Sequence, residues 1–295
     1  MALLESGAPV VAIGGGHGLA SSLRSLVIAG ACPVGIVSVA DDGGSSGRIR
    51  ADFGLEPPGD VRKCLVALAE SESVWTAVFD YRFHTGELTG HSLGNLIIAG
   101  LTEVTGDFSD AIRLAQQLIG VKGSLLPSST EPITLGARAQ GHEIFGQVNV
   151  MHTMGIENVF TVPENPPVPD AVMEAIGSAK TIVAGPGSLF TSVLAVLCVP
   201  KIREAVAAST ARKIYVVNLR PQQFETYGFD IAAHIRALLR HGFVPDLILA
   251  DNSYMELGNS KELCESVGAE LLMRPLADGS GRVHDPERLA NAFVE

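Results

Sequence analysis

Cysteine is scarce in this chain, and the four it has are scattered. Cys32, Cys64, Cys198 and Cys264 form no C-x-x-C pair, which excludes the common zinc and dithiol patterns and predicts buried thiols in a reducing compartment. Positive charge is also short. Lys and Arg number 21 against 32 Asp and Glu, and the net charge of −11 leaves no broad basic face for a nucleic-acid backbone. Aromatic residues make up 5% of the 295 positions, with one Trp, too few for a base-stacking platform. The longest apolar run, around Leu189 to Val199, falls well short of the ~20 residues that cross a bilayer. The N-terminus MALLESGAPVV lacks the basic and apolar regions of a secretory signal. These absences predict a cytoplasmic protein with no membrane span and no nucleic-acid partner. The patterns G-x-x-x-x-G-K-[ST], G-x-S-x-G and H-E-x-x-H are missing too, which removes the P-loop, nucleophile-elbow and zincin chemistries.

What is present is apolar and periodic. Short runs rich in β-branched residues recur as PVVAIG, PVGIVSVA, KTIVAG, KIYVVN, DLILA and AELLM. Such nearly continuous apolar strands suit a sheet buried on both faces. Helical stretches separate most of them; Phe108, Ala111, Ile112, Ala115, Leu118 and Ile119 share one helical face, with Asp107 positioned as a cap. Strands alternating with helices predict an α/β fold, a Rossmann-like doubly wound, mostly parallel sheet. From about 122 to 150 the helical period stops, and glycines at 141 and 146 predict a small antiparallel hairpin insertion. PENPPVPD, residues 163 to 170, reads as a stiff connector. The expectation is one α/β domain over 1–295.

An acidic chain can still grip one phosphorylated ligand with backbone N–H groups and a few cations. Several segments offer this. Gly14, Gly15, Gly16, His17 and Gly18 lie between a strand and a helix beginning near Leu19, a turn that aims N–H groups outward. The G-x-G-x-x-G pattern fits only in part, because Leu19 stands where a third glycine is needed. Asp41 and Asp42, followed by Gly43, Gly44, Ser45 and Ser46, join a carboxylate pair to a second donor-rich loop. That pair could ligate Mg²⁺ or hold a hydroxyl, and Asp41 and Asp42 are the candidate catalytic groups; Arg48 and Arg50 add positive charge. Gly59, Asp60 and Arg62 open a helix, with an arginine where the helix dipole disfavours one. His91, Gly94 and Asn95 sit in the first turn of another, where Gly and Asn cost stability and invite a close approach. Gly185, Pro186, Gly187 and Ser188 form a further strand–glycine–helix turn. Asn218, Arg220, Asp251, Asn252 and Tyr254 lie just past strands, where open α/β sheets bind ligands. Each segment can also be read as an ordinary turn, cap or solvated loop, and no metal-ligand cluster appears.

Taken in order, AIGGGHGLASSL, VADDGGSSGRIR, PPGDVRKCLVALA, DYRFHTGELTGHSLGNLIIAGL and AGPGSLFTSVLAVLCVPKIREAV resemble the YvcK/CofD-like family over about residues 9 to 288. The YRF block is most similar to its YvcK-type gluconeogenesis-factor branch; the other branch is 2-phospho-L-lactate transferase. The resemblance implies a Rossmann-like fold and, for the YvcK branch, binding of a UDP-sugar, above all UDP-N-acetylglucosamine, with no established reaction. It also implies a link between central carbon metabolism, peptidoglycan formation and cell shape, a regulatory protein partner, and a homodimer. The matching positions are Gly14 to Gly18, Asp41 to Ser46, Gly59 to Arg62, His91 to Asn95, Gly185 to Ser188, Asn218 and Tyr254. Two departures stand out. His17 replaces a more usual Thr, and LRPQQFET follows where the family reads closer to MTQPGET. Three functions therefore compete: a UDP-sugar-binding regulator, a Mg²⁺-assisted phosphotransferase of the transferase branch, and a nicotinamide-dependent oxidoreductase. The Leu19 mismatch and the Gly/Ser loop weigh against the last.

Overall fold

Burial on both faces turns the apolar runs into one sheet. The computed structural model describes residues 3–4, 7–70 and 73–294; the other residues of the expected 1–295 unit lie outside the described residues. In chain order the strands of this sheet are β1 (Val10–Gly14), β2 (Val34–Val37), β3 (Ser124–Pro127), β7 (Thr181–Ala184), β8 (Arg212–Val216), β9 (Leu247–Ala250) and β10 (Glu270–Met273). All neighbours pair in parallel, in the spatial order β10-β9-β8-β7-β1-β2-β3. β1, β7 and β9 are buried along their whole length, while the edge strand β10 is not. The helices between strands supply the second and third layers.

Helix ends follow sequence chemistry. Helix α1 (Gly16–Ile28) starts on Gly15 with no side-chain cap and buries Leu19, Leu23 and Leu26. Each such leucine contributes roughly 1.5–3 kcal/mol when fully buried. Helices α2 (Gly44–Phe53), α3 (Gly59–Leu68), α4 (Val74–Asp80), α5 (Leu93–Thr105) and α6 (Phe108–Ile119) form the long crossover from β2 to β3. Asp107 caps α6 as expected, its Oδ1 accepting from the Asp110 N–H at 2.8 Å. No helix among the described residues is long and apolar enough to cross a membrane.

The segment expected as a hairpin at 122–150 divides. Its start, β3, alternates in burial and joins the main sheet beside β2. Its remainder forms β4 (Thr134–Ala139) and β5 (His142–Phe145), turned through Gln140 and Gly141 at φ 51 and 78. Positive φ at both central residues gives the turn a twist that matches paired strands. A third strand, β6 (Ile156–Val162), lies beyond the expected range and pairs with the other side of β4. Between them sits α7 (Gln147–Met151). The connector 163–170 then leads into α8 (Asp170–Ser178).

The strand order reverses between β1 and β7, so the chain leaves their carboxyl ends in opposite directions and opens a crevice there. Past β7 a π-helical turn, Leu189–Val193, runs directly into α9 (Leu194–Leu197) and on to α10 (Pro200–Ala208). Helix α11 (Ile231–Arg240) connects β8 to β9, α12 (Ser260–Val267) connects β9 to β10, and α13 (Pro286–Val294) packs back on α1. The two turns at the crevice touch backbone to backbone. A Cβ on Gly18 would run into the Pro186 carbonyl oxygen and the Gly187 Cα. Gly18→Ala should therefore lower stability by roughly 1–3 kcal/mol, read from the midpoint of urea unfolding; an unchanged midpoint would contradict the close crossing.

Candidate ligand cleft at the sheet's switch point

Above the carboxyl ends of β1, β7 and β8 lies a cleft of about 1350 Å³. Its floor is the Gly15–Gly18 turn with Asp41, Asp60 and Lys63, and one wall is formed by Pro186, Gly187, Ser188, Asn218 and Gln222. Arg282 and His284 close the far rim. The first-turn N–H groups of α1 have no intrahelical partner by geometry. Gly15 supplies no side chain to cap them, and no acidic residue follows in the first turn. An uncapped helix start of this kind carries partial positive charge and is suited to an anion.

The charges on the floor are interlocked. The Asp60 carboxylate lies under Gly15, and Lys63 Nζ meets its Oδ1 at 3.0 Å. Burial and the nearby Asp60 push the Asp41 carboxyl above the ordinary range, while hydrogen bonds from Gly43 N–H and Ser46 act the other way. Partial burial, and then the Lys63 ammonium, lower the His17 imidazole, so it enters the cleft as a neutral ring at neutral pH. His284 donates from Nε2 to the Val217 carbonyl at 3.2 Å, and burial brings its pKa down to about 4. Since a carbonyl can only accept, that bond fixes the neutral ring with its hydrogen on Nε2. Lys63, Arg220 and Arg282 line this cleft against two carboxylates, a local inversion of the chain's acidic balance.

Of the sequence-predicted residues, Gly15, Gly16, His17, Gly18, Asp41, Asp60, Pro186, Gly187, Ser188, Asn218 and Arg220 meet at the cleft. The rest support it from outside. The Gly14 carbonyl accepts from Ser38 N–H, and the Gly185 carbonyl accepts from Ser22 Oγ at 2.6 Å. Asp42 does not share a site with Asp41. Its two oxygens accept from Gln147 N–H and Val148 N–H, both at 2.9 Å, and cap α7. A Mg²⁺ ion held by Asp41 and Asp42 together does not fit this arrangement. Among the described residues, no three His, Cys, Asp or Glu side chains converge as a metal site.

The remaining predicted residues form the frame of the DDGGSSG loop. Gly43 and Gly44 begin α2. Ser45 Oγ lies 3.2 Å from His91 Nδ1 and accepts from Asn95 Nδ2 at 3.1 Å. Ser46 Oγ accepts from Gly59 N–H at 3.0 Å. The close approach anticipated at Gly94 is made by the Phe79 backbone, whose Cα would lie 2.8 Å from a Cβ there. Arg62 is buried and pairs with Asp80 Oδ1 at 2.7 Å, so its position at a helix start reflects this ion pair. Arg48 donates to the Thr89 carbonyl and Arg50 to the Ile133 carbonyl, away from the floor. Tyr254 stands behind Arg220, whose guanidinium lies 4.4 Å from its ring centroid. Asp251 is an internal anchor: burial pushes its carboxyl up, but bonds from Ser253, Leu276 and Ala277 outweigh that and hold it below the usual range.

Sequence reading missed Lys63, Gln147, Thr191, Gln222, Arg282 and His284, all on the cleft. Lys63 had a signal, standing one helical turn after Asp60. Arg282 and His284 come from a loop without periodicity and had none.

The family model described as 2-phospho-L-lactate transferase CofD matches residues 10–269. The chain belongs to the CofD family. A putative gluconeogenesis factor of Thermotoga maritima is 39% identical over 97% of the chain and 88% of its own length. The gluconeogenesis factor of Bacillus subtilis is 40% identical over 82% of the chain and 78% of its own length. A putative gluconeogenesis factor from Nostoc is 44% identical over 80% of the chain, and the match spans about half, 52%, of that longer protein. A crystal structure of a UPF0052-family protein from Bacillus halodurans superposes with a TM-score of 0.92 at 35% identity, covering 99% of this chain and 100% of that one. This CofD-family chain thus has the fold of the UPF0052 structures.

The division of labour between the two aspartates is open to measurement. Asp42→Ala should cost roughly 1–3 kcal/mol by orphaning two N–H groups and should speed hydrogen exchange at Gln147 and Val148. Asp41→Asn should leave that exchange unchanged. Equal exchange in wild type and Asp42→Ala would remove the capping role.

Proposed function

We propose that this chain is a nucleotide-sugar-binding regulator of the gluconeogenesis-factor type, with UDP-N-acetylglucosamine as its ligand. The observation that carries the reading is the uncapped start of α1, opening into a long cleft at the switch point beside Lys63. A diphosphate suits that end, where backbone N–H groups and a lysine are both available. Asp41 is available to accept a ribose or sugar hydroxyl, and Ser188, Asn218 and Gln222 offer neutral partners for the remaining polar groups. Relatives called gluconeogenesis factors support the regulatory role. The cytoplasm as its compartment, the link to peptidoglycan synthesis and cell shape, a regulatory protein partner and a homodimer belong to the same proposal.

A phosphotransfer reading has one observation in its favour. Asp41 faces the cleft next to Asp60, with a carboxyl held above the ordinary range, in a chain that matches a transferase family model. It would act through Asp41 and Asp60, since Asp42 is committed to α7. Incubation with a nucleotide-activated donor, an acceptor and Mg²⁺ separates the two readings. Product that disappears in Asp41→Asn would favour transfer.

For the regulator, UDP-N-acetylglucosamine at a hundred times its Kd should raise the melting temperature by on the order of 5 °C. Lys63→Met should weaken binding roughly tenfold. His17→Thr should change affinity less than threefold, because a neutral imidazole adds little to a diphosphate site. No thermal shift at millimolar ligand would overturn the reading.

A further inference from the structure

Behind the Ser188 wall lies a carboxyl group that the cleft does not expose. Glu225 follows β8 in the turn that carries Gln222, and it is 1% exposed. Neither of its oxygens has a hydrogen-bond partner of good geometry. Around it stand the Thr191 hydroxyl and N–H, the Ser188 hydroxyl and the Leu189 N–H, at the start of the helical run from Leu189 to Leu197. In a strand–glycine–helix turn, that helix end is where a ligand's phosphate would sit. Here a carboxyl of the protein approaches it from the inside. The turn is committed in a second way as well, since the Gly187 N–H donates to Asn218 Oδ1 at 2.9 Å.

We propose that Glu225 is a built-in counter-anion of the second glycine turn. Ionised, it cancels the positive helix end, confines the ligand's phosphates to α1, and reserves the Ser188–Thr191 wall for uncharged hydroxyl and amide groups. Protonated, it lets further negative charge approach that wall. Glu225 is thus a positioning residue that acts through the Ser188 turn, and the idea rests on the cleft being a nucleotide-sugar site.

The surroundings fit this role. The ionisable group facing Glu225 from β8 is Tyr215, whose phenol is raised by burial and by Glu225 itself, so it is neutral. From the helical run it meets the hydroxyls and N–H groups of Ser188, Leu189 and Thr191. Gln222 in its own turn is an amide that donates to Ser188 Oγ at 2.7 Å. From α7, Gln147 donates to the Thr191 carbonyl, and His152 rests on the neighbouring Phe224 ring with centroids 5.3 Å apart. Burial pushes the Glu225 carboxyl up to about 7 against the pull of Thr191, Ser188 and Leu189. The charge is therefore present at pH 8 and largely absent at pH 6.

Inorganic pyrophosphate is the probe, titrated calorimetrically into wild type and Glu225→Gln at pH 6 and pH 8. Comparing the two proteins at each pH cancels the probe's own ionisation and that of His17. The ratio of wild-type to variant Kd should be near one at pH 6 and roughly tenfold at pH 8, the effect of one fixed negative charge in a partly buried site. Glu225→Met, neutral by a different chemistry, should give the same ratios, which sets aside contacts of the Gln amide as their cause. Equal ratios at both pH values, or no pyrophosphate binding by either variant at millimolar concentration, overturns the proposal. UDP-N-acetylglucosamine is titrated in parallel. Pyrophosphate ratios as expected with no binding of the nucleotide sugar would sink the proposed function and leave the counter-anion standing; the reverse pattern would do the opposite.

Discussion

Two glycine turns, far apart in sequence, are held in backbone contact where the sheet reverses direction, and the cleft exists because of that contact. Gly18 lies against Pro186 and Gly187, and Ser22 of α1 binds the Gly185 carbonyl at 2.6 Å. With no side chain between them, the start of α1 and the start of the helical run at Leu189 face one space. Parallel pairing of β1 with both β2 and β7 then fixes what else can reach that space: Asp41 after β2, and Asn218 and Arg220 after β8.

The electrostatics of the cleft follow from which charges are already committed. The chain is acidic overall, yet apart from Asp41 its carboxylates near the floor are engaged. Asp60 is paired with Lys63, Asp42 with the α7 backbone, and Asp80 with Arg62. The α1 N–H groups carry no such partner, so attraction for an anion is concentrated at one end. The second turn resembles the first in sequence and differs from it in physics, because Asn218 and Glu225 approach it from behind.

Much of the fold was legible because buried parallel strands read as unbroken apolar runs. VVAIG, TIVA and LILA needed no partner to be recognised. β6 was not legible, since its alternating half-exposed pattern in IENVFTV was overshadowed by the glycines before it. The site was legible in its turns and opaque in its assignments. Adjacent aspartates suggest a pair, but Asp42 finds its partners about a hundred residues on, at Gln147 and Val148. Similarly, HSLGN looked like a ligand-facing helix start, while its His91 and Asn95 hold Ser45 and its Gly94 makes room for Phe79. Local spacing identifies which residues are unusual. Only long-range pairing decides whether the unusual residue meets a ligand or another part of the chain.

The antiparallel unit meets the cleft through one short element. β5 runs from the Gln140–Gly141 turn at one end to α7 at the other, and α7 carries Gln147 onto the cleft. Four strand residues, about 13 Å of extended chain, separate the turn from that contact. For protein engineering this marks a usable joint. A reporter domain or affinity tag spliced between Gln140 and Gly141 would sit at an exposed hairpin tip, clear of the hydrogen bonds that organise the floor. It would also sit at the far end of β5 from Gln147, which α7 places on the cleft.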